Sequence, residues 1–340
     1  MASGSEKRPV PTSIDSLAPH ARRLFTASLE ATDPLWDPEV GLLETPSDGD
    51  HDVRSTVRYA LALLVRDGER APDGGDTPGD ATSDPAGGKS DRERAATAIE
   101  AVLDHQFVDE PDAVYYGTWA RTPDEHFPIG DPVVWDDYDP NWREFVGSNL
   151  ALILDSFGER LSDDLCERVA AANRTAARGT LARDVSPSNT NIALMRSFLL
   201  AWAADRFDEG EWGRTADSFA DRVHGLYSYG DTFCEFNSPT YAGVTLNALG
   251  FWLTSPRTAR LYERGAEMER ALWRRLGEYY HAGLGTLCGP YARAYAMDTR
   301  RSIADYYIWL AAGGTGREPF PESHHTSVPA NYGSGFLAAV

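Results

Sequence analysis

The chain has 340 residues, and 52 acidic against 32 basic side chains leave it a formal charge of −20. That length supplies a buried core without disulfide or metal staples, and a surface this acidic disfavours nucleic acid or an anionic membrane as partner. Lys7 and Lys89 are the only lysines among the basic residues, a composition that predicts a halophilic, haloarchaeal type of protein.

In chain order, the N-terminal "MASGSEKRPVPTS" has no apolar signal-peptide core, and no later run is apolar enough to span a bilayer. The expectation is a soluble, cytoplasmic protein with a disordered start over residues 1–16 and a tail over 315–340. Helices are predicted at 17–31, 52–66, 92–106, 141–157, 162–178, 190–206, 213–227, 239–253, 257–280 and 299–312, with almost no strand. The Gly-, Pro- and Asp-rich stretch near 67–94 interrupts them as an expected disordered insertion. Cys166, Cys234 and Cys288 are widely spaced, so neither a disulfide framework nor a cysteine zinc site is expected.

The helices are of two kinds. "PRTARLYERGAEMERALWRRLGEYY" carries Leu261, Gly265, Met268, Leu272, Leu276 and Tyr279 at spacings of three and four, as in a helix with one wet face. "NIALMRSFLLAWAA" and "AGVTLNALGFWL" are apolar nearly all round, as in helices enclosed by neighbours. The two kinds alternate roughly every 40 to 50 residues from about residue 141. The economical packing is an all-α toroid of helical hairpins spanning 17–314, with parallel inner helices whose N-terminal ends gather at one mouth. Five polar stretches precede those inner helices: "GDHDVRST", "DPNWREF", "SPSNTN", "EFNSPTY" and "GPYARAYAMDT". In the fourth, Ser238 and Pro239 read as a helix cap and first turn.

Over residues 50–313 this layout resembles the (α/α) toroid carbohydrate-active enzymes, which include heparinase-type and alginate lyases and unsaturated glucuronyl hydrolases. "EFNSPTY" with "GPYARAYAMD" is also similar to motifs in bacterial and fungal toroid proteins. The resemblance implies five to six hairpins, although ten predicted helices fall short of the twelve of a complete six-hairpin ring. It also implies a catalytic tyrosine that takes and returns a proton, a role that passes to Tyr241.

A lyase acting on a uronate needs a base and a neutraliser for the substrate carboxylate. Tyr241 is the candidate base, with Tyr291 and His51 as rivals; Arg293, Asn191 and Asn237 are candidates to hold the carboxylate. A glycoside hydrolase needs two carboxylates across the scissile bond. Glu235 is the candidate acid, because it lies just before a buried helix, and Asp52 and Asp298 are candidates for the second. Asn189, Arg54 and Trp142 complete the expected substrate-binding set. Each has a plainer alternative: an arginine partner for Glu235, packing on Phe251 or Trp252 for Tyr241, an ion pair with Asp298 for Arg293, and a helix cap for Asp298. The aromatics Tyr115, Tyr116, Trp119, Trp135 and Trp142 serve either sugar stacking or lid packing. Adjacent His324 and His325 do not form a metal pair, and no nucleotide-binding glycine loop occurs, so neither metal nor cofactor is expected. The sequence reading is an enzyme on small acidic oligosaccharides, with β-elimination ahead of hydrolysis and a non-catalytic binding toroid as the third alternative.

Overall fold

The computed structural model describes residues 7–45, 49–68, 89–293 and 302–316. Among them the chain is all-α apart from very short strands. Its helices are α1 (Pro19–Thr32), α2 (Val53–Asp67), α3 (Asp91–Asp104), α4 (Trp142–Phe157), α5 (Asp163–Ala182), α6 (Thr190–Phe207), α7 (Gly210–Gly230), α8 (Pro239–Thr254), α9 (Ala259–Tyr279) and α10 (Ile303–Ala311). No helix among the described residues is long and apolar enough to cross a membrane.

Helices α2, α4, α6, α8 and α10 each pack on the next member of that series. Their partners are amphipathic: α3 packs on α2, α5 on α4 and α6, α7 on α6, and α9 on α8 and α7. The core follows the same division. Helix α6 is buried from Thr190 to Ala203 without a break, whereas α9 buries only Leu261, Gly265, Met268, Glu269 and Leu276. Phe198 of α6 stacks on Phe251 of α8 with centroids 5.1 Å apart, and Trp252 donates its indole N–H to the Leu194 carbonyl 2.8 Å away.

Glycine sets two of the close approaches. At Gly243 a Cβ would lie 2.4 Å from Ile303 Cγ2, so α8 and α10 meet at contact distance only because that atom is missing. At Gly179, in α5, a Cβ would lie 1.9 Å from the Tyr116 carbonyl oxygen. Backbone cannot yield as a side-chain tip can, so Gly179→Ala is expected to destabilise the protein by about 3 kcal/mol. The midpoint of denaturant unfolding measures it, and an unchanged midpoint would contradict the packing.

Two expectations about order need correction. The N-terminal 16 residues are not wholly disordered: Arg8 donates its backbone N–H to the Leu253 carbonyl and makes a bidentate ion pair with Glu269 at 2.6 Å, and Ile14–Ser16 is a turn of 3-10 helix. An arginine clamp to a distant glutamate leaves no local trace in sequence. Residues 89–94 of the expected insertion are also ordered, because a capping box between Ser90 and Glu93 starts α3 at Asp91. Residues 69–88 lie outside the described residues, as does the expected tail beyond residue 316.

The sheet elements are small. Strands β1 (Trp36–Asp37), β2 (Leu42–Glu44) and β3 (His51–Asp52) form an antiparallel set in which Glu44 faces His51. Strands β4 (Tyr280–His281) and β5 (Thr286–Leu287) pair after α9 and lead into the loop 288–293.

Candidate functional site

The site is built where the segment before α8 meets the loop after β5. Ser238 caps α8, its hydroxyl accepting from the Tyr241 N–H at 3.1 Å, with Pro239 in the first turn. Asn237 holds the left-handed backbone (φ 48°), and its side-chain amide donates to the carbonyls of Cys288 at 2.6 Å and Pro290 at 2.9 Å. Ala292 donates its N–H to the Phe236 carbonyl, and Ser238 Oγ to that of Arg293. These bonds fasten 235–238 to 288–293. Asn237 is therefore occupied as a clamp, with both amide hydrogens already placed on the protein.

The clamp sets Arg293 over two predicted residues at once. Its Nη1 donates to Glu235 Oε1 at 2.9 Å, and its guanidinium carbon stands 4.4 Å from the centroid of the Tyr241 ring. Tyr241 thus belongs to the Arg293 cluster, while Phe251 and Trp252 have other partners. Glu235 has the arginine partner that the plainer reading expected. Its side chain is 6% exposed and that of Arg293 50%, so the pair runs from buried acid to open cation.

Asn191, in the first turn of α6, stands on the other side of Glu235. It helps to hold the carboxylate's charge, yet its buried Nδ2 completes no hydrogen bond, nor does the buried Glu235 Oε2. Burial is the largest influence on Glu235 and raises its pKa above the ordinary 4.5, with Arg293 and Asn191 opposing it. Four expected residues, Glu235, Tyr241, Arg293 and Asn191, therefore share one site drawn from three of the five polar stretches. Below it, a cavity of ≈ 30 Å³ lies between α7, α8 and α9, lined by Glu235, Thr245 and Leu272 among others. It has room for roughly two waters.

The other expected residues sit elsewhere. Tyr291 donates its hydroxyl to the Leu287 carbonyl and packs beside Leu287 in the small apolar cluster under α8 and α10. Asn189 precedes α6 without a side-chain capping bond. His51 is held by Asp37, Nε2 to Oδ2 at 3.0 Å, in a group with Glu44 whose ligand atoms lie within 4.8 Å of one another. Cross-strand pairing, not helix entry, decides its position. Asp52 caps α2 through the Ser55 N–H. Asp298, and with it the proposed pairing to Arg293 or a cap at Thr299, lies outside the described residues, as do His324 and His325.

Arg54 stacks over Trp142 at 5.0 Å and over Phe145 at 5.1 Å, joining the stretches before α2 and α4. Of the predicted aromatics, Tyr115 packs edge-on against Phe107, Phe127 and Tyr138, and Trp119 is fully buried; both are packing residues. Trp135 is exposed, at a positive φ of 77°.

Sequence reasoning passed over Arg58. It is 6% exposed, and among the described residues no hydrogen bond or ion pair engages it. The available signal was an arginine inside an apolar helix with Arg54, Ser55, Leu61 and Ala62 at the third and fourth places around it, so that no acid can pair with it along the helix.

A family model described as a domain of unknown function (DUF8769) matches residues 86–336, from just before α3 through α10. The cluster at Glu235 falls inside that match and the arginines of α2 fall before it. No curated protein and no solved structure matches the chain.

Proposed function

The chain belongs to the DUF8769 family, and from that premise we propose that it is an (α/α) toroid enzyme cleaving a uronate-containing oligosaccharide by β-elimination. The consecutive packing of α2, α4, α6, α8 and α10, backed by α3, α5, α7 and α9, supports the toroid. Contact of α1 with α10, through His20 Nε2 to the Leu310 carbonyl at 3.0 Å and His20 against Trp309, supplies an outer partner for the last inner helix.

The observation that carries the chemistry is Tyr241 lying under the Arg293 guanidinium beside a buried carboxyl and amide. In this reading Tyr241 enters as the phenolate, and its oxygen takes the proton from C5 of the uronate. The electron pair of that C–H bond forms the C4–C5 double bond, the C4–O bond breaks, and the proton passes from Tyr241 to the leaving oxygen. No water is consumed. The guanidinium over the ring favours the phenolate form of Tyr241, and Asn191 Nδ2 is a donor for the substrate carboxylate, on which negative charge builds as C5 loses its proton. A small acidic sugar, with no nucleic acid, membrane or cofactor, is the proposed partner set, and the cytoplasm the proposed setting.

One observation favours hydrolysis as the second reading: a buried glutamate with a raised pKa and an uncommitted Oε2 is the form a general acid takes. A panel of acidic and neutral oligosaccharides separates the two. Elimination yields unsaturated uronate and depends on Tyr241; hydrolysis yields reducing ends alone and depends on Glu235. Absence of both products across the panel leaves the ligand-binding toroid.

The pKa of Glu235 also predicts a pH effect. The folded protein keeps this proton to higher pH than the unfolded chain, so the carboxyl costs nothing below the ordinary value of 4.5 and lowers stability as pH rises through and beyond it. Loss of a half-exposed ion pair adds little. The melting temperature of Glu235→Gln relative to wild type is therefore expected to climb between acid and neutral pH. A pH-independent difference would contradict the assignment.

A further inference from the structure

Four arginines are buried among the described residues: Arg58, Arg94, Arg143 and Arg196. Three are spent on the protein. Arg94 donates to the Tyr59 hydroxyl at 2.7 Å and reaches Asp33, Arg143 donates to the carbonyls of Tyr116 and Val114, and Arg196 to those of Thr180 and Arg183. Arg58 has no such acceptor, and its Nε is buried without a partner. A buried, unpaired guanidinium is costly, and in a chain with 52 carboxylates a protein counter-ion would have been easy to supply.

Arg54 repeats the pattern one turn earlier on the same face of α2, also with a buried, unpartnered Nε. Among the described residues no carboxylate stands within ion-pair distance of either. The nearest acids act from farther away and are committed: Asp52 accepts from the Ser55 N–H and Asp139 from the Asn141 N–H at 2.8 Å. The surroundings are aromatic. Phe145 lies 5.1 Å from Arg54 and 5.6 Å from Arg58, Trp142 flanks Arg54 at 5.0 Å, and the buried Tyr307 of α10 faces Arg58. Burial and the charge of Arg54 push the Arg58 pKa down to about 9, which still leaves it charged at neutral pH.

We propose that Arg54 and Arg58 form an anion-binding subsite on α2 that receives the carboxylate of an acidic sugar, with the half-buried Phe145 as its apolar wall and Trp142 buried behind Arg54. A carboxylate matches the planar fork of a guanidinium with two parallel bonds and supplies the charge that the protein withholds. An apolar ring surface suits the C–H face of a pyranose. The ligand class rests on the acidic-sugar reading above; the anion subsite rests on the α2 geometry alone.

The test is calorimetric titration of the full chain, at one fixed salt concentration, with a glucuronate trisaccharide, the matching glucose trisaccharide and a sulfated glucose trisaccharide. Wild type is expected to prefer the glucuronate. Arg58→Met, of similar volume, is expected to weaken that binding about tenfold or more while leaving the glucose trisaccharide unaffected. It is also expected to melt at the same or a higher temperature without sugar, because it removes an unpaired buried charge. A structural arginine would show the reverse, and a drop in melting temperature for both Arg58→Met and the charge-preserving Arg58→Lys would overturn the proposal. So would an acidic-sugar preference unchanged in Arg58→Met, or tighter binding of the sulfated sugar than of the glucuronate. Arg58-dependent binding without turnover would sustain the subsite and sink β-elimination; turnover with a KM indifferent to Arg58 would do the opposite.

Discussion

Replacing Tyr241 with phenylalanine is expected to slow formation of unsaturated product by about 10²- to 10⁴-fold, the usual contribution of a positioned acid–base group. The substitution removes only the hydroxyl. The ring stays in the first turn of α8 under the Arg293 guanidinium, and the Ser238 cap uses the backbone N–H of residue 241, which is untouched. Loss of one hydroxyl changes stability by about 1 kcal/mol, so a small shift in melting temperature beside a large loss of rate separates chemistry from architecture. A rate within a few-fold of wild type would remove Tyr241 from the proton transfer. Equal loss of rate and of folded protein would make it a packing residue.

The second large effect is expected at Asn237, through structure rather than chemistry. Its amide holds the loop that carries Arg293 by two bonds to carbonyls 51 and 53 residues away in sequence, and its backbone sits at φ 48°. Asn237→Ala loses both bonds, at about 1 kcal/mol each, and places alanine in a conformation that costs it about 1 kcal/mol more. A loss of about 3 kcal/mol is expected by denaturant titration, together with most of the activity, because Arg293 loses its anchor over Tyr241. Asn237→Gly isolates the two causes: glycine tolerates the backbone but cannot clamp, so it should recover part of the stability and none of the activity. Full activity in Asn237→Gly would show that the loop keeps its place unaided.

How much of this was legible in sequence varied with the range of the interaction. Helix positions were, because apolar residues recurring at three and four, or filling every face, report burial directly. The start of α8 at Pro239 follows from Ser238 and its neighbour, since capping is local. The meeting of "EFNSPTY" with "GPYAR" was expected from parallel inner helices, and the bonds between Asn237 and the 288–290 carbonyls show what binds them. The role of Asn237 was not legible, because an amide that grips distant backbone looks in sequence like one that grips a ligand. His51 was expected with the helix entries because it lies in "GDHDVRST", just before an inner helix, but strand pairing turns it toward Glu44 and Asp37. Arg58 is the clearest case: its importance lies in the counter-ion it lacks, and only the tertiary neighbourhood reveals that.

The cluster of Glu235, Asn191, Arg293 and Tyr241 also explains why a carboxylate precedes a helix as apolar as α8. Glu235 anchors Arg293, Arg293 covers Tyr241, and Asn191 brings the first turn of α6 to the same place. Arg54 and Arg58 extend the acidic-ligand reading to α2.

The most direct measurement is the ratio of unsaturated uronate, followed by its ultraviolet absorbance, to new reducing ends released from a uronate oligosaccharide by the full chain. Elimination at Tyr241 predicts one unsaturated product per reducing end, with both lost in Tyr241→Phe. Reducing ends without absorbance, or products unaffected by Tyr241→Phe, would contradict it.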